Sequence, residues 1–180
     1  MEVRDLAIAG PKLVIPRVFS DARGFFLETW QRDRFAEHGI DVDFVQDNHS
    51  LSRRGTVRGL HFQRGPGQAK LVRVVRGRIF DVAVDIRPGS PTVGRWVGVE
   101  LDAHAHHQLF LPTGFAHGFQ VLSDEAEVLY KVSTPYDAVS EAGFQFDDPD
   151  VGVNWPLAPM HLSPRDQAAP TFAATMKERS

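Results

Sequence analysis

Short strand-like runs constrain the fold of this chain more than any other sequence feature. They are rich in β-branched and aromatic residues, and turn signals bound each run within a few residues. The strand-like runs are KLVIPRVF, GFFLETW, KLVRVVRGRIFDVAVDI, RWVGVEL, HQLFLP, HGFQVL and EVLYKVS. The turn signals are SDARG, GPGQ, RPGSPTVG, LPTG and LSDE. This spacing predicts a mainly β fold, an antiparallel sandwich or barrel whose loops carry the specificity.

The rest of the chain predicts only a few short peripheral helices. The segment QRDRFAEHG begins at residue 31, has few apolar positions and ends at Gly39, so we expect a short helix there. The tail after Trp155 is rich in proline and alanine and predicts irregular structure with a helix. Because no internal repeat or low-complexity linker divides the sequence, we expect residues 1–180 to form one domain.

Charge and cysteine content narrow the classes of function. The net charge of −3 provides no overall positive field for nucleic acid or anionic lipid, so any phosphate site must be local. The absence of cysteine excludes disulfides, thiolate metal sites and cysteine nucleophiles. The N-terminal sequence has early charges, a proline and no long apolar run. We therefore expect a cytoplasmic protein with neither a membrane nor a nucleic-acid partner.

The segment VRGLHFQRGPGQAK contains three side chains that suit chemistry on a charged substrate. Strand alternation predicts Arg58 and Leu60 on one face and His61 on the other, unless a bulge alters the pattern. If the glycine-rich turn closes a hairpin, Lys70 at the start of the next strand would lie near His61. A half-buried packing role for the histidine and an exposed edge position for the lysine are equally consistent with these residue types.

The segment LPTGFAHGF has the P-x-G-x-x-H pattern of the second metal-binding motif of cupins, with Pro112, Gly114 and His117. A metal-binding cupin also needs an H-x-H pair and a carboxylate, whereas the corresponding strand offers only His61. We therefore predict a cupin-like barrel in which acid and base side chains replace the metal. The HAHH run at residues 104–107 falls between two strands and is interpreted as a polar loop.

The C-terminal third adds two tyrosines and an Arg-Asp pair. Alternation sets Tyr130 with Val132 on one face, and a tyrosine facing the interior needs a partner for its hydroxyl group. Packing with a hydrogen bond therefore remains an alternative to a chemical role. In LSPRDQAAP, Arg165 and Asp166 lie on a predicted loop, where they could equally form a solvated ion pair.

Taken together, these motifs resemble those of the dTDP-4-dehydrorhamnose 3,5-epimerase family, sugar-nucleotide epimerases with a cupin-like jelly-roll fold. The resemblance covers nearly the whole chain, because the motifs occur in the family's order. They are DARGFFLE, QDNHS, RGLHFQ, QAKLVRVVRGRIFDVAVDIRPGSPTVG, LPTGFAHGF, LYKVSTPY, SE, DDP, NWP and LSPRD. Each motif alone is weakly specific, but the order and spacing of the set are specific.

The resemblance implies a role for each matching residue. His61 matches the general base, Asp166 the carboxylate that orients it, Tyr130 the general acid, and Lys70 the lysine beside the sugar ketone. Tyr136 matches the aromatic residue that stacks on thymine. The other positions of the nucleotide site are Arg23, Glu28, Gln46, Asp47, Asn48, Arg58, Lys70, His117, Glu141 and Arg165. The resemblance further implies a homodimer, since the DxRG segment of this family reaches the neighbouring subunit's site, and it implies neither a cofactor nor a metal.

These residue types suit epimerisation beside a ketone. A ketone at C4 acidifies the hydrogens at C3 and C5, so a histidine can remove them and a tyrosine across the cavity can return a proton to the opposite face. We therefore expect conversion of dTDP-4-dehydro-6-deoxy-D-glucose to dTDP-4-dehydro-L-rhamnose. A single-position epimerase is the nearest alternative. A metal-binding or non-catalytic cupin, and a ketoisomerase or dehydratase on the same scaffold, are further alternatives.

Overall fold

The computed structural model describes residues 1–178, so the last two residues of the predicted domain lie outside the described residues. Within this range the chain is mainly β, as predicted. The strands are β1 (Glu2–Asp5), β2 (Lys12–Ile15), β3 (Val18–Asp21), β4 (Gly24–Leu27), β5 (Gln46–Arg53), β6 (Val57–Gln63), β7 (Lys70–Arg76), β8 (Arg78–Asp85), β9 (Trp96–Asp102), β10 (Gln108–Leu111), β11 (Phe115–Val121), β12 (Glu125–Val132) and β13 (Glu141–Gly143). The helices are α1 (Arg32–Ala36), α2 (Pro164–Gln167) and α3 (Phe172–Lys177).

Two antiparallel sheets form a sandwich. The six-stranded sheet has the order β1-β2-β10-β7-β12-β5, and the five-stranded sheet has the order β13-β6-β11-β8-β9. The main apolar core lies between them, because alternate residues of each strand face the other sheet. Val72 and Val128 contribute to this core from the larger sheet, and Ala83 and Phe119 contribute from the smaller sheet.

The chain changes sheets twice around β7, which the sequence pattern did not predict. The long run KLVRVVRGRIFDVAVDI is divided at Gly77 into β7 and β8, which belong to different sheets. Gly77 has φ +75°, and a Cβ atom there would lie 2.1 Å from the carbonyl oxygen of Glu125. The expected hairpin between β6 and β7 is also wrong, because these strands lie in opposite sheets. The glycine-rich segment at residues 64–69 therefore crosses from one sheet to the other.

The outer faces of both sheets are covered by the segments that were predicted to be peripheral. Helix α1 confirms the short helix expected near residue 31, and its Phe35 is buried against the larger sheet. The tail contains the short helices α2 and α3 within otherwise irregular structure. Phe172 of α3 contacts Phe144 with a ring-centroid distance of 5.1 Å and helps to cover the smaller sheet. The HAHH run lies between β9 and β10, as expected.

Strands β3 and β4 form a separate two-stranded ribbon. Its aromatic side chains are unusually exposed for their size, with Phe19 at 51%, Phe25 at 61% and Phe26 at 70% relative exposure. Such a cluster on one ribbon is typical of a surface that another protein covers. None of the helices within residues 1–178 has the length and apolar character needed to cross a membrane.

Candidate active site

A cavity of about 630 Å³ opens between the two sheets. Most of the side chains predicted from the sequence to form the site line this cavity, although they come from segments far apart in the chain. Those that line it are Gln46, Asn48, Arg58, His61, Lys70, His117, Tyr130, Tyr136, Glu141, Arg165 and Asp166. The volume is in the range of small-molecule sites, and the polar groups converge on one space.

Three predicted nucleotide-binding residues do not line this cavity in the single chain. Arg23 lies at the tip of the β3–β4 ribbon, where it forms an exposed ion pair with Asp21. Glu28 follows β4 directly. Asp47 of β5 points away from the cavity and pairs with Lys131 at 2.9 Å. Their assignment to the site remains a prediction that depends on a second subunit or on movement.

A bulge in β6 places Arg58 and His61 on the same face. His61 pairs with His117 of β11, but Arg58 pairs with the residue two positions further along, so β6 has one extra residue between them. Gly59, within the bulge, has φ +125°, and a Cβ atom there would lie 2.5 Å from the Cα atom of Gly118. The prediction that simple alternation separates Arg58 from His61 is therefore wrong, because the bulge changes the parity of the strand.

The half-exposed His61 is held by Asp166. Its Nε2 atom lies 2.6 Å from Oδ1 of Asp166, which is buried. Asp166 is positioned by α2, whose first turn is capped by the side chain of Ser163. Burial acts to raise the pKa of Asp166, but hydrogen bonds from His61 and Ser163 and the charge of Arg165 leave this pKa below its usual value. With Nε2 bonded to the carboxylate, Nδ1 is the ring nitrogen left to exchange a proton.

The predicted loop at LSPRDQAAP is instead helical. Arg165 and Asp166 both belong to α2, and they do not pair with each other. Arg165 pairs with Glu141, while Asp166 pairs with His61. The solvated ion pair considered from the sequence is therefore wrong.

A second histidine-carboxylate pair lies on the neighbouring strands. Nε2 of His117 on β11 is 2.8 Å from Oδ1 of Asp81 on β8, and both residues are buried. Burial lowers the pKa of His117, and its electrostatic interactions with Lys70 and His61 act in the same direction. Sequence reasoning missed Asp81. Its signal was a carboxylate inside the apolar run RIFDVAVD, which is costly to bury without a partner.

Lys70 lies in the cavity wall at the start of β7, opposite the smaller sheet. It is buried, so the exposed edge position considered from the sequence is wrong. Burial lowers the pKa of Lys70 to about 8, against the charges of Asp81 and Glu141, which act to raise it. At neutral pH the side chain is therefore a cation inside a poorly hydrated site, where fixed charges act strongly.

Tyr130 lies on the sheet opposite His61. It belongs to β12 and pairs with Asn48 of β5, which also lines the cavity. Burial raises the pKa of Tyr130, and the positive charge of Arg58 partly opposes this shift. The hydroxyl group is therefore protonated at neutral pH. The site thus has a proton-accepting group on one wall and a proton-donating group on the other.

Polar groups at the cavity mouth are linked through Glu141. The hydroxyl of Tyr136 donates a hydrogen bond to Glu141 at 2.8 Å, and Arg165 pairs with the same carboxylate. The backbone N–H of Tyr136 donates to the side chain of Gln46 at 3.0 Å. The ring of Tyr136 is 57% exposed, so its face is accessible to a planar group. The mouth therefore offers an aromatic surface beside an arginine.

Strand β5, which was recognised as a motif but not as a strand, adds serine residues to the wall. Arg58 Nε donates a hydrogen bond to Ser52 at 2.9 Å, which fixes the direction of the guanidinium group. Ser50 lines the cavity, and its hydroxyl is buried without a hydrogen-bond partner in residues 1–178. Alternation along QDNHS, which sets Gln46, Asn48 and Ser50 on one face, was the signal for this residue.

Comparisons with known proteins point to one family. Residues 5–174 match the family model of dTDP-4-dehydrorhamnose 3,5-epimerase. A dTDP-4-dehydrorhamnose 3,5-epimerase of Neisseria gonorrhoeae is 50% identical over 98% of this chain, although the match spans only 54% of that relative's length. A dTDP-4-dehydrorhamnose 3-epimerase of Streptomyces niveus is 46% identical, over 94% of this chain and 83% of the relative.

A solved structure shows the same fold. It is the crystal structure of a dTDP-6-deoxy-D-glucose-3,5-epimerase from Legionella pneumophila in complex with dTDP-4-keto-L-rhamnose. The TM-score is 0.93 at 44% sequence identity, and the alignment covers 97% of this chain and 96% of the other. These matches confirm the cupin-like architecture and the isomerase class expected from the sequence. Together with the family model, they establish that the chain belongs to the dTDP-4-dehydrorhamnose 3,5-epimerase family.

Proposed function

We propose that this protein epimerises dTDP-4-dehydro-6-deoxy-D-glucose at C3 and C5 to give dTDP-4-dehydro-L-rhamnose. One observation carries the proposal: the oriented base His61 and the acid Tyr130 lie on opposite walls of one cavity, with the buried Lys70 in the same site. Inversion at a carbon requires removal of a proton from one face and delivery of another to the opposite face. This placement supplies both.

His61 performs the first step. Its Nδ1 accepts the proton from the carbon beside the ketone, and the electron pair of the broken C–H bond moves onto the ketone oxygen as an enolate. The ring becomes an imidazolium, which the Asp166 carboxylate at 2.6 Å stabilises. Because the carboxylate is buried, its attraction for the imidazolium is less screened than it would be in water.

Lys70 and Tyr130 complete the reaction. The Lys70 ammonium stabilises the negative charge on the enolate oxygen. Tyr130 then donates its hydroxyl proton to the opposite face of the carbon, and the phenolate formed is stabilised by the nearby charge of Arg58. Each fixed charge of this kind is worth about 3 kcal/mol to the barrier. At the end of each cycle the His61 imidazolium releases its proton to solvent, and the Tyr130 phenolate takes one up from solvent.

The nucleotide half of the substrate fits the other end of the cavity. Arg58 and Arg165 present planar guanidinium groups that suit the diphosphate oxygens. Tyr136 offers its exposed ring to the thymine base. These local cations bind an anionic ligand even though the protein as a whole carries a net charge of −3. No cofactor is needed for these steps, and we place the reaction in the cytoplasm.

We also propose that the protein acts as a homodimer. Arg23 and Glu28 lie on the β3–β4 ribbon and its exit, outside the cavity of their own chain. The exposed phenylalanines of this ribbon need a covering surface. A second copy would cover them and would bring Arg23 and Glu28 to a neighbouring site, as the family resemblance implies.

A single-position epimerase is the second candidate. The relative from Streptomyces niveus is named as a 3-epimerase, and it is nearly as similar to this chain as the 3,5-epimerase of Neisseria gonorrhoeae. The same His61 and Tyr130 would serve either reaction. The difference lies in whether the sugar ring turns over between two protonations, which depends on how tightly the cavity holds it.

One experiment separates these functions. The protein is incubated with dTDP-4-dehydro-6-deoxy-D-glucose in deuterium oxide, and the incorporated deuterium is located by NMR. Deuterium at both C3 and C5, with inversion at both, is the expected result. Deuterium and inversion at one carbon alone would favour the single-position enzyme. No incorporation at either carbon would contradict an epimerase function on this substrate.

A further inference from the structure

The buried side chain of Asp81 uses only one of its two carboxylate oxygens in a hydrogen bond. Two buried side-chain oxygens in residues 1–178 lack a hydrogen-bond partner, and one of them is Oδ2 of Asp81. Its other oxygen accepts the hydrogen bond from His117, but a neutral asparagine would provide an acceptor of the same shape. A fully buried carboxylate with one unpaired oxygen is costly, so its negative charge requires an explanation beyond packing.

The buried Lys70 is the cation that this charge can serve. The acidic groups that act on its pKa are Asp81 and Glu141. Glu141 already pairs with the Arg165 cation and accepts a hydrogen bond from Tyr136, so it has another counter-charge. Within residues 1–178, the side chain of Asp81 has no ion pair with a lysine or arginine, and its one hydrogen bond is from His117. It is therefore the unshared counter-charge of the buried ammonium.

The same carboxylate fixes the ring of His117. The charged and titratable groups around this ring come from three other strands: His61 on β6, Lys70 on β7 and Asp81 on β8. Two of these groups disfavour a positive charge on His117, and burial acts in the same direction. A neutral ring whose Nε2–H donates to Asp81 has its Nδ1 lone pair available as an acceptor.

We propose that Asp81 is a positioning residue of the epimerase site, which holds His117 as the Nε2–H tautomer and keeps the Lys70 ammonium charged beside the sugar ketone. Asp81 acts through these two side chains and does not line the cavity itself. The catalytic part of this inference rests on the proposed epimerase function, whereas the effect on the two side chains does not.

The direct test follows the titration of Lys70 in Asp81→Asn. The chain contains few lysines, so selective ¹³C labelling of lysine resolves their signals, and Lys70→Met assigns the signal of interest. We expect a titration midpoint near pH 8 in the unsubstituted protein and a fall of about 1 unit in Asp81→Asn. An unchanged midpoint would overturn the proposal, whether or not the protein is an epimerase.

The kinetic test compares Asp81→Asn with Asp148→Asn. Asp148 is also buried and accepts backbone hydrogen bonds from Asp150 and Phe172, but it does not line the cavity. For Asp81→Asn we expect kcat at about pH 9 to fall about tenfold with KM within about threefold, because the alkaline limb of the pH profile moves down by about 1 unit. Asp148→Asn should lower Tm and leave this limb in place.

The outcomes separate the two proposals. No turnover by the unsubstituted protein would contradict the epimerase function, while the lysine titration would still decide the role of Asp81. Turnover by Asp81→Asn with an unshifted alkaline limb of the pH profile would overturn the positioning role alone.

A separate measurement is needed if Asp81→Asn does not fold. In that case ¹⁵N NMR of the unsubstituted protein determines the tautomer of His117, whose signal is assigned by its loss in His117→Gln. A neutral ring in the Nε2–H form at neutral pH supports the proposal, and a mixture of tautomers overturns it.

Discussion

Two histidine-carboxylate pairs lie side by side in this protein and differ mainly in their contact with water. In both pairs Nε2 binds an aspartate, at 2.6 Å for His61 and 2.8 Å for His117. The His61 side chain is 26% exposed and that of His117 is 8% exposed. The same two residue types are therefore placed in different environments by adjacent strands.

This difference in exposure separates their chemical abilities. A half-exposed ring next to a carboxylate can gain and lose a proton during turnover, because its charged form is partly hydrated and paired. Burial lowers the pKa of His117, so that ring stays neutral at neutral pH and is better suited to hold a fixed hydrogen-bond pattern. The two pairs therefore differ in environment more than in pairing, and the prediction that His61 is the base depends on that environment.

Substitution of His61 should have the largest effect and tests the comparison most directly. We expect His61→Ala to reduce solvent exchange into the substrate by about 1000-fold or more, because the general base is lost, with little change in dTDP binding. Deuterium incorporation by NMR and calorimetric titration with dTDP measure the two quantities.

The control for His61→Ala is a third pair of the same kind. His49 lies 3.0 Å from Glu127 on the protein surface and does not line the cavity. His49→Ala should leave exchange unchanged. Retained exchange in His61→Ala would mean that the half-exposed pair is not the base.

Substitution of Tyr130 should separate the two walls of the cavity. In Tyr130→Phe, His61 can still remove a proton from the substrate, but no hydroxyl group on the opposite wall of the cavity can donate one. We expect product with inverted configuration to form about 300-fold more slowly, while exchange of substrate protons falls much less. Measurement of exchange and inversion in the same sample checks this. Equal losses of both would show that Tyr130 takes part in proton removal as well.

Asp166→Asn tests whether the negative charge of Asp166 is important for His61. Asparagine still accepts the hydrogen bond from His61 but cannot stabilise the imidazolium by charge, so we expect kcat to fall about 100-fold with KM nearly unchanged. Steady-state kinetics with the thermal unfolding midpoint as a control for folding provide the test. A larger loss of kcat in Asp81→Asn than in Asp166→Asn would reverse the roles of the two pairs.

The smallest expected effect is a pH dependence that follows the charge of Lys70. The pKa of Lys70 is lowered to about 8, so its ammonium is present below that pH and is lost above it. We therefore expect kcat/KM to fall as the pH rises through about 8, by up to about tenfold per unit. A profile that stays level to pH 10 would show that the charge on Lys70 is not needed.

The sequence correctly indicated residues whose signals are local or whose motifs occur in a fixed order. The strand runs, the helix near residue 31 and the loop at residues 104–107 follow from short-range pattern, and the family follows from the order of motifs. Eleven of the fourteen named site residues line the cavity of a single chain. Arg23 and Glu28 do not, because they lie on the β3–β4 ribbon and at its exit, and Asp47 does not, because alternation along β5 turns it away from the face of Gln46 and Asn48.

Local pattern failed where the path of the chain between sheets decides the outcome. Alternation could not reveal the bulge that turns Arg58 toward His61, since the extra residue is defined by pairing with β11. The run KLVRVVRGRIFDVAVDI was interpreted as one continuous strand, because Gly77 is the only residue in the sequence that marks the change of sheet. Asp81 was missed, since its partner His117 is 36 residues away.

The sequence by itself therefore determined that this chain forms a β sandwich of the epimerase family, and it predicted His61, Lys70 and Tyr130 as the reactive groups. Only the tertiary structure decided which carboxylate each histidine receives and how much water reaches each pair. The physical reason is that hydrogen bonding and burial depend on contacts between strands distant in the chain, whereas residue type and order do not. For His61 and His117, those long-range contacts leave one ring partly exposed and bury the other.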